Sequence, residues 1–213
     1  MLIAFANAWI WRIFKFNVPL FILLIFLTII LNYLKFQKIT RKLLIVFVIL
    51  LGIVTFFQWK TTTPQSLTLL DNDEQRIQQE RLMFYKPSLH YTRVIFARAK
   101  VKEFLEGDIN TAFSRLQRNF FETIDPNVYF FGGHPRERVW AFDFEKFPFI
   151  LLVPFAIGLY FEILKKRILT YVYLFISVIL LTFIGHRNNL GPFILFPLFC
   201  TFIYLGLLKI FKL

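Results

Sequence analysis

The sequence predicts an all-α integral membrane protein with about five transmembrane helices and a small helical cap outside the membrane between the second and third. Three observations predict it. The chain has 213 residues, 57% of them hydrophobic, 20% aromatic and only 18% charged, which is too apolar for a soluble domain of ordinary composition. Apolar stretches near the ~20 residues needed to cross a bilayer recur along it. The excess of positive charge, formally +12, is gathered beside those stretches. Charge arranged in that way anchors helices at a membrane boundary, so nucleic acid is not an expected partner and membrane lipids are.

Met1 to Trp11 is apolar but too short to span. It is expected to lie at the interface, with Trp9 and Trp11 at headgroup level. It lacks the order of a signal peptide, because no basic residue precedes the apolar part and no small-residue cleavage site follows it. The segment is therefore expected to be retained. The first span is Val18 to Leu34. A basic loop, Lys35 to Lys42, leads into a second span, Leu43 to Trp59, so residues 1–59 form an interfacial lead-in and a helical hairpin.

Residues 60–146 form the only long polar region, with thirteen basic and twelve acidic residues. Asp71 to Tyr85 opens with capping acids and continues with good helix formers. From Ser88, Tyr91, Val94, Ile95, Val101, Phe104 and Leu105 recur at helical spacing, and Gly107 supplies a stop. Asp108 begins another helix in which Ile109, Phe113, Leu116, Phe120 and Ile124 recur every three or four residues, and Asp125-Pro126-Asn127 ends it. That stripe is expected to be the packed side of a cap of about 85 residues resting on the membrane helices.

Three further spans, about Phe147 to Leu164, Leu169 to Gly185 and Gly191 to Leu208, make residues 147–213 a three-helix membrane unit. Pro154 could kink the first of these; Pro192 and Pro197 could start and kink the last. Glu162, beside Lys165 and Lys166, is read as a boundary residue. The single cysteine, Cys200, lies in an apolar run and serves packing; it excludes an intrachain disulfide or a multi-thiolate metal site. In the short loops nine basic residues lie on one side (Lys35, Lys38, Arg41, Lys42, Lys165, Lys166, Arg167, Lys209, Lys212) against three on the other (Arg12, Lys15, Arg187). The richer side is expected in the cytoplasm of a plasma-membrane protein, with the large loop outside and the C-terminus inside.

The densest chemistry lies between Asp125 and Pro154. Gly132-Gly133 allows a sharp turn, and His134, Arg136 and Arg138 follow with Glu137 among them. Guanidinium groups recognise phosphate through paired donors, and a histidine adds a hydrogen bond or a proton. His186 and Arg187, in the other outward-facing turn, could join them in binding a lipid phosphate. The alternative is that the arginines pair with Glu137, Asp143 and Glu145 or touch ordinary anionic headgroups. Asp143 and Glu145 are the candidate catalytic carboxylates, although a spacing of two also arises wherever an interfacial segment exposes one face. His134, Asp143 and Glu145 have no spacing that forces a metal site, and no cofactor is called for.

Arg76 to Tyr85 (RIQQERLMFY), Leu116 to His134 (LQRNFFETIDPNVYFFGGH), Glu145 to Tyr160 (EKFPFILLVPFAIGLY) and Gly185 to Leu198 (GHRNNLGPFILFPL) together resemble polytopic membrane glycosyltransferases related to protein O-mannosyltransferases. The similarity covers about two thirds of the chain through loose motifs. It implies a polyprenyl-phosphate sugar as ligand and a role in envelope or cell-surface glycan assembly. That family carries its catalytic acid in a first outer loop near the N-terminus, whereas the segment before Val18 has no Asp or Glu. The chain would then be a shortened relative or split half, inactive alone, with a partner membrane subunit supplying the acid. A non-catalytic scaffold or accessory subunit is the alternative.

Overall fold

The computed structural model describes residues 2–36, 41–62, 108–131, 144–165, 167–185 and 188–211. Every element among them is helical, with no strand. Chain order runs α1 (Leu2–Phe5), α2 (Ala8–Phe16), α3 (Val18–Phe36), α4 (Arg41–Thr61), α5 (Asp108–Ile124), α6 (Asn127–Phe130), α7 (Leu152–Lys165), α8 (Ile168–Ile184) and α9 (Phe196–Ile210). Short 3-10 turns, Phe149–Leu151 and Phe193–Leu195, lead into α7 and α9. The helices expected at Asp71 to Tyr85 and from Ser88 to Gly107 lie outside the described residues.

Three helices are long and apolar enough to cross a membrane: Val18–Lys35, Arg41–Thr61 and Phe193–Ile210. Phe149–Lys165 and Ile168–Ile184 meet at a bend of 119° and can be counted together as a fourth, broken span. The chain is thus a helical protein of membrane-spanning character.

Asparagines set the entry. Asn7 Nδ2 donates to the Ile3 and Ala4 carbonyls at the end of α1, and its Oδ1 accepts from Ile10 N at the start of α2. Asn17 repeats the device, with Oδ1 accepting from Leu20 N at 3.0 Å while its own N–H donates to Ile13 O. Each satisfies amides that a helix start leaves open. Trp9, Ile10 and Ile13 then face the core. Trp9 is not turned to lipid headgroups as expected: it is 0% exposed, packed against Tyr129, Phe147 and Phe196. Trp11, 49% exposed, does face outward.

The bundle is assembled around α9. Of the window Phe193–Ile210, 67% is buried, against 22% for Arg41–Thr61, so the last span is the centre and α4 a flank. Its tightest neighbour is α7, because glycines face backbone across the crossing: a Cβ on Gly158 would overlap the Phe202 carbonyl, and one on Gly206 the Pro154 carbonyl. Helices in lipid gain from such close approach, since apolar burial alone distinguishes little between protein and acyl chains. Pro154 lies in the first turn of α7 and Pro197 in the first turn of α9. Neither sits mid-helix, where a missing N–H would force a kink.

Helix α5 has the predicted bounds and the opposite orientation. Phe113 is 64% exposed, while Arg115 and Asn119 are 5% and 6% exposed. The polar side packs on α8, with Asn119 Nδ2 donating to Thr182 O at 3.1 Å. Periodicity located an apolar face; it carried no information about the medium that face meets.

Candidate functional site

Two polar constellations are built at opposite ends of the bundle. At one end the last span begins with irregular backbone: Gly191 has φ 68°, a left-handed conformation that glycine adopts without strain, and Pro192 removes a donor. Other spans satisfy the groups this frees. Gln58 of α4 accepts from Ile194 N through Oε1 at 3.2 Å and donates through Nε2 to Gly191 O and Thr62 Oγ1. Tyr173 Oη of α8 donates to Ile194 O at 2.7 Å, and Asn188 Nδ2 donates to Thr62 Oγ1 at 3.0 Å. Non-helical backbone at such depth persists only when protein groups replace water in this way.

Next to this break lies Lys146, 4% exposed. Its ammonium donates to Val128 O at 2.7 Å and lies 5.9, 5.7 and 5.1 Å from the ring centres of Trp9, Tyr129 and Phe144. Aromatic faces attract a cation through their quadrupole, more strongly when water is excluded. The Lys146 stem rests on Gly191, where an added Cβ would come within 2.8 Å of Cε. Backbone bonds tie the same junction together: Lys146 N and Phe147 N both donate to Tyr129 O, and Trp9 Nε1 donates to Leu190 O at 2.6 Å. Tyr129 Oη donates to Thr123 O. Burial, reinforced by the charge of Asp125, pushes its phenol far above the usual range, so it remains a hydrogen-bond donor rather than an acid.

Arg12 approaches from α2, its guanidinium 4.2 Å from the Phe144 ring centre. Among the described residues its Nε has no hydrogen-bond partner. Phe144 thus lies beside two cations, Arg12 and Lys146, that come from segments far apart in sequence.

At the opposite end Lys35 Nζ of α3 and Glu162 Oε2 of α7 are 3.1 Å apart, each side chain 3% exposed. Thr170 Oγ1 of α8 donates to Glu162 Oε1 at 2.8 Å, and the ammonium lies 5.4 Å from the Phe202 ring centre of α9. Glu162 is therefore a buried, paired acid joining helices, within the last turn of α7. Lys209 stacks on Phe161 at 5.1 Å at this same end.

Of the residues singled out in the sequence, Glu145 is described. It is exposed, and its Oε1 accepts from Phe149 N at 3.0 Å, closing the first turn before α7. His134, Arg136, Arg138, Asp143, His186 and Arg187 lie outside the described residues. Their flanks are described: Phe130 packs on Phe147, Phe155 and Phe199, Phe144 carries the two cations, and Gly185 abuts Asn119. Among the described residues no group of three or more His, Cys, Asp and Glu side chains could hold a metal ion. Arg12, Lys146 and Gln58 were not among the sequence candidates, and the one available signal, a Lys or Gln at the end of an apolar run, usually means only a boundary. No family model, curated protein or solved structure matches the chain.

Proposed function

We propose that the chain is a five-span plasma-membrane protein that binds the phosphate head of a polyprenyl lipid at its outward end, related to polytopic lipid-linked-sugar glycosyltransferases but inactive on its own. The observation that carries this reading is the position of Phe144. It lies between Arg12 and Lys146 one residue after the 132–143 stretch that carries His134, Arg136 and Arg138. Lys146 in turn rests on Gly191, in the turn that carries His186 and Arg187. The described residues that border both stretches in sequence thus lie at one end of the bundle, which supports a reading in which their cations meet a lipid phosphate there. The identity of the lipid comes from the resemblance.

Orientation is tested first. Asn189, exposed in the outer turn, and Lys42, exposed at the start of α4, belong to opposite sides in a five-span arrangement. Asn189→Cys should react with an impermeant thiol reagent in intact cells and Lys42→Cys only after lysis; the reverse pattern would invert the protein.

Binding is tested by native mass spectrometry of the protein in nanodiscs carrying a polyprenyl monophosphate. Arg138→Ala and Arg187→Ala should each weaken binding by roughly 1–3 kcal/mol, the scale of a charged hydrogen bond, and the double variant should lose a non-additive amount. A double variant that binds like the parent would favour the accessory-subunit reading.

A further inference from the structure

Helix α5 is built inside out for a helix in water. Its buried side holds Arg115, Asn119 and Thr123 at successive steps of four. Its opposite side exposes Phe113, Phe120, Phe121 and Ile124, with the polar Gln117 among them. The packed side is held by polar bonds from Asn119 to the Thr182 carbonyl of α8 and from Tyr129 to the Thr123 carbonyl, while Thr123 Oγ1 bonds back to the Asn119 carbonyl within the helix. In water, apolar burial would drive the phenylalanines inward. In acyl chains that drive is absent and polar groups gain most by facing protein.

A second observation identifies what covers the aromatic side. The α8 surface beside the contact is itself apolar and outward, with Phe175, Ile179 and Phe183 exposed, and Phe183 follows directly on Thr182. Helix α5 thus packs on α8 beside residues that, in a membrane, would meet lipid, and its own exposed face turns away from that contact. We infer that α5 is a lipid-facing helix whose Phe113, Phe120, Phe121 and Ile124 insert among the acyl chains of the outer leaflet. The inference rests on the membrane reading of α8. It makes residues 108–124 a membrane-inserted foot of the large loop rather than part of a water-exposed cap, and it would hold the 125–131 turn at headgroup depth, where a lipid phosphate lies.

Spin labels at Phe121→Cys (α5), Phe175→Cys (α8) and Asn189→Cys (outer turn), each in the full-length protein in phosphatidylcholine nanodiscs, test it by collision with oxygen and with a water-soluble nickel chelate. The expected result is a severalfold preference for oxygen at Phe121→Cys, matching Phe175→Cys, while Asn189→Cys prefers the chelate. If Phe121→Cys behaves like Asn189→Cys while Phe175→Cys stays lipid-exposed, α5 faces water and the inference falls although the membrane reading stands. If Phe175→Cys also prefers the chelate, the membrane reading of α8 falls with it. A Phe121→Cys label shielded from both agents, or dipolar broadening between labels, means that protein covers the face, a second copy in the latter case, and overturns the inference equally. Unchanged size-exclusion profiles establish that the labelled proteins fold.

Discussion

Gly158→Ala and Gly206→Ala are each expected to cost about 1–3 kcal/mol, the range of overpacking at a site with no room to give. Alanine is ordinarily the better helix former by about 1 kcal/mol, so the sign of the effect comes wholly from the crossing. Each glycine faces backbone on the other helix, Phe202 in one case and Pro154 in the other. Backbone cannot rotate away as a side-chain tip can. To admit one methyl group α7 and α9 must part, and parting them loosens the Phe155–Phe199 stack, whose ring centres are 4.6 Å apart. Gly52 of α4 supplies the internal control: it is exposed, nothing lies within 4 Å of an added Cβ, and Gly52→Ala should be neutral or slightly stabilising. Thermal unfolding in detergent, followed by thiol-dye accessibility of the buried Cys200, would give the ordering Gly52→Ala at or above the parent with the other two well below. Equal melting of all three would mean that the crossing is looser than the structure has it.

The contrast between these glycines shows what the sequence could and could not convey. Hydropathy placed α3, α4 and α8 to within about two residues, Val18 to Leu34 against Val18–Phe36 and Leu169 to Gly185 against Ile168–Ile184. The spans expected from Phe147 and Gly191 begin as helix α7 at Leu152 and α9 at Phe196, each after a 3-10 turn. A bilayer demands an apolar run of fixed length. Nothing in such a run distinguishes Gly158 and Gly206, pressed on backbone, from Gly52 in open space. The same limit explains α5. Its amphipathic pattern was legible and its burial was inverted, since a pattern of faces does not name the medium on each side. Trp9 was misplaced for a related reason: an aromatic near a membrane boundary has the composition of a belt residue whether it meets lipid or, as here, closes a core with its Nε1 bonded to Leu190 O. At the candidate site the pairing of Arg12 with Phe144, or of Gln58 with Ile194, joins residues more than a hundred positions apart, and a single sequence contains no trace of such contacts.

The buried Lys35–Glu162 ion pair should give the other large effect. Glu162→Gln removes the charge that faces Lys35 at 3.1 Å and leaves an ammonium 3% exposed without its counter-ion. Breaking a buried pair from one side costs about 3–5 kcal/mol, because the surviving charge keeps its desolvation penalty and loses its compensation. Lys35→Met should cost a similar amount: it strands the carboxylate, which retains only the Thr170 hydroxyl bond at 2.8 Å. Removing both charges is a different experiment. A neutral pair of similar volume has no charge to desolvate, so Lys35→Met with Glu162→Gln should recover most of the loss and approach the parent. The cycle of four proteins therefore predicts strong coupling, with the double variant far more stable than the sum of the single ones. The pair draws together α3, α7 and α8 beneath Phe202 of α9, so losses should appear as cooperative melting of the bundle rather than fraying of one helix. Melting temperatures of the four proteins in one detergent, at one pH near neutrality, measure it. Single variants that melt with the parent would mean that water reaches the pair and screens it; a double variant no better than the single ones would mean that the bond geometry, and not charge balance, holds these helices together.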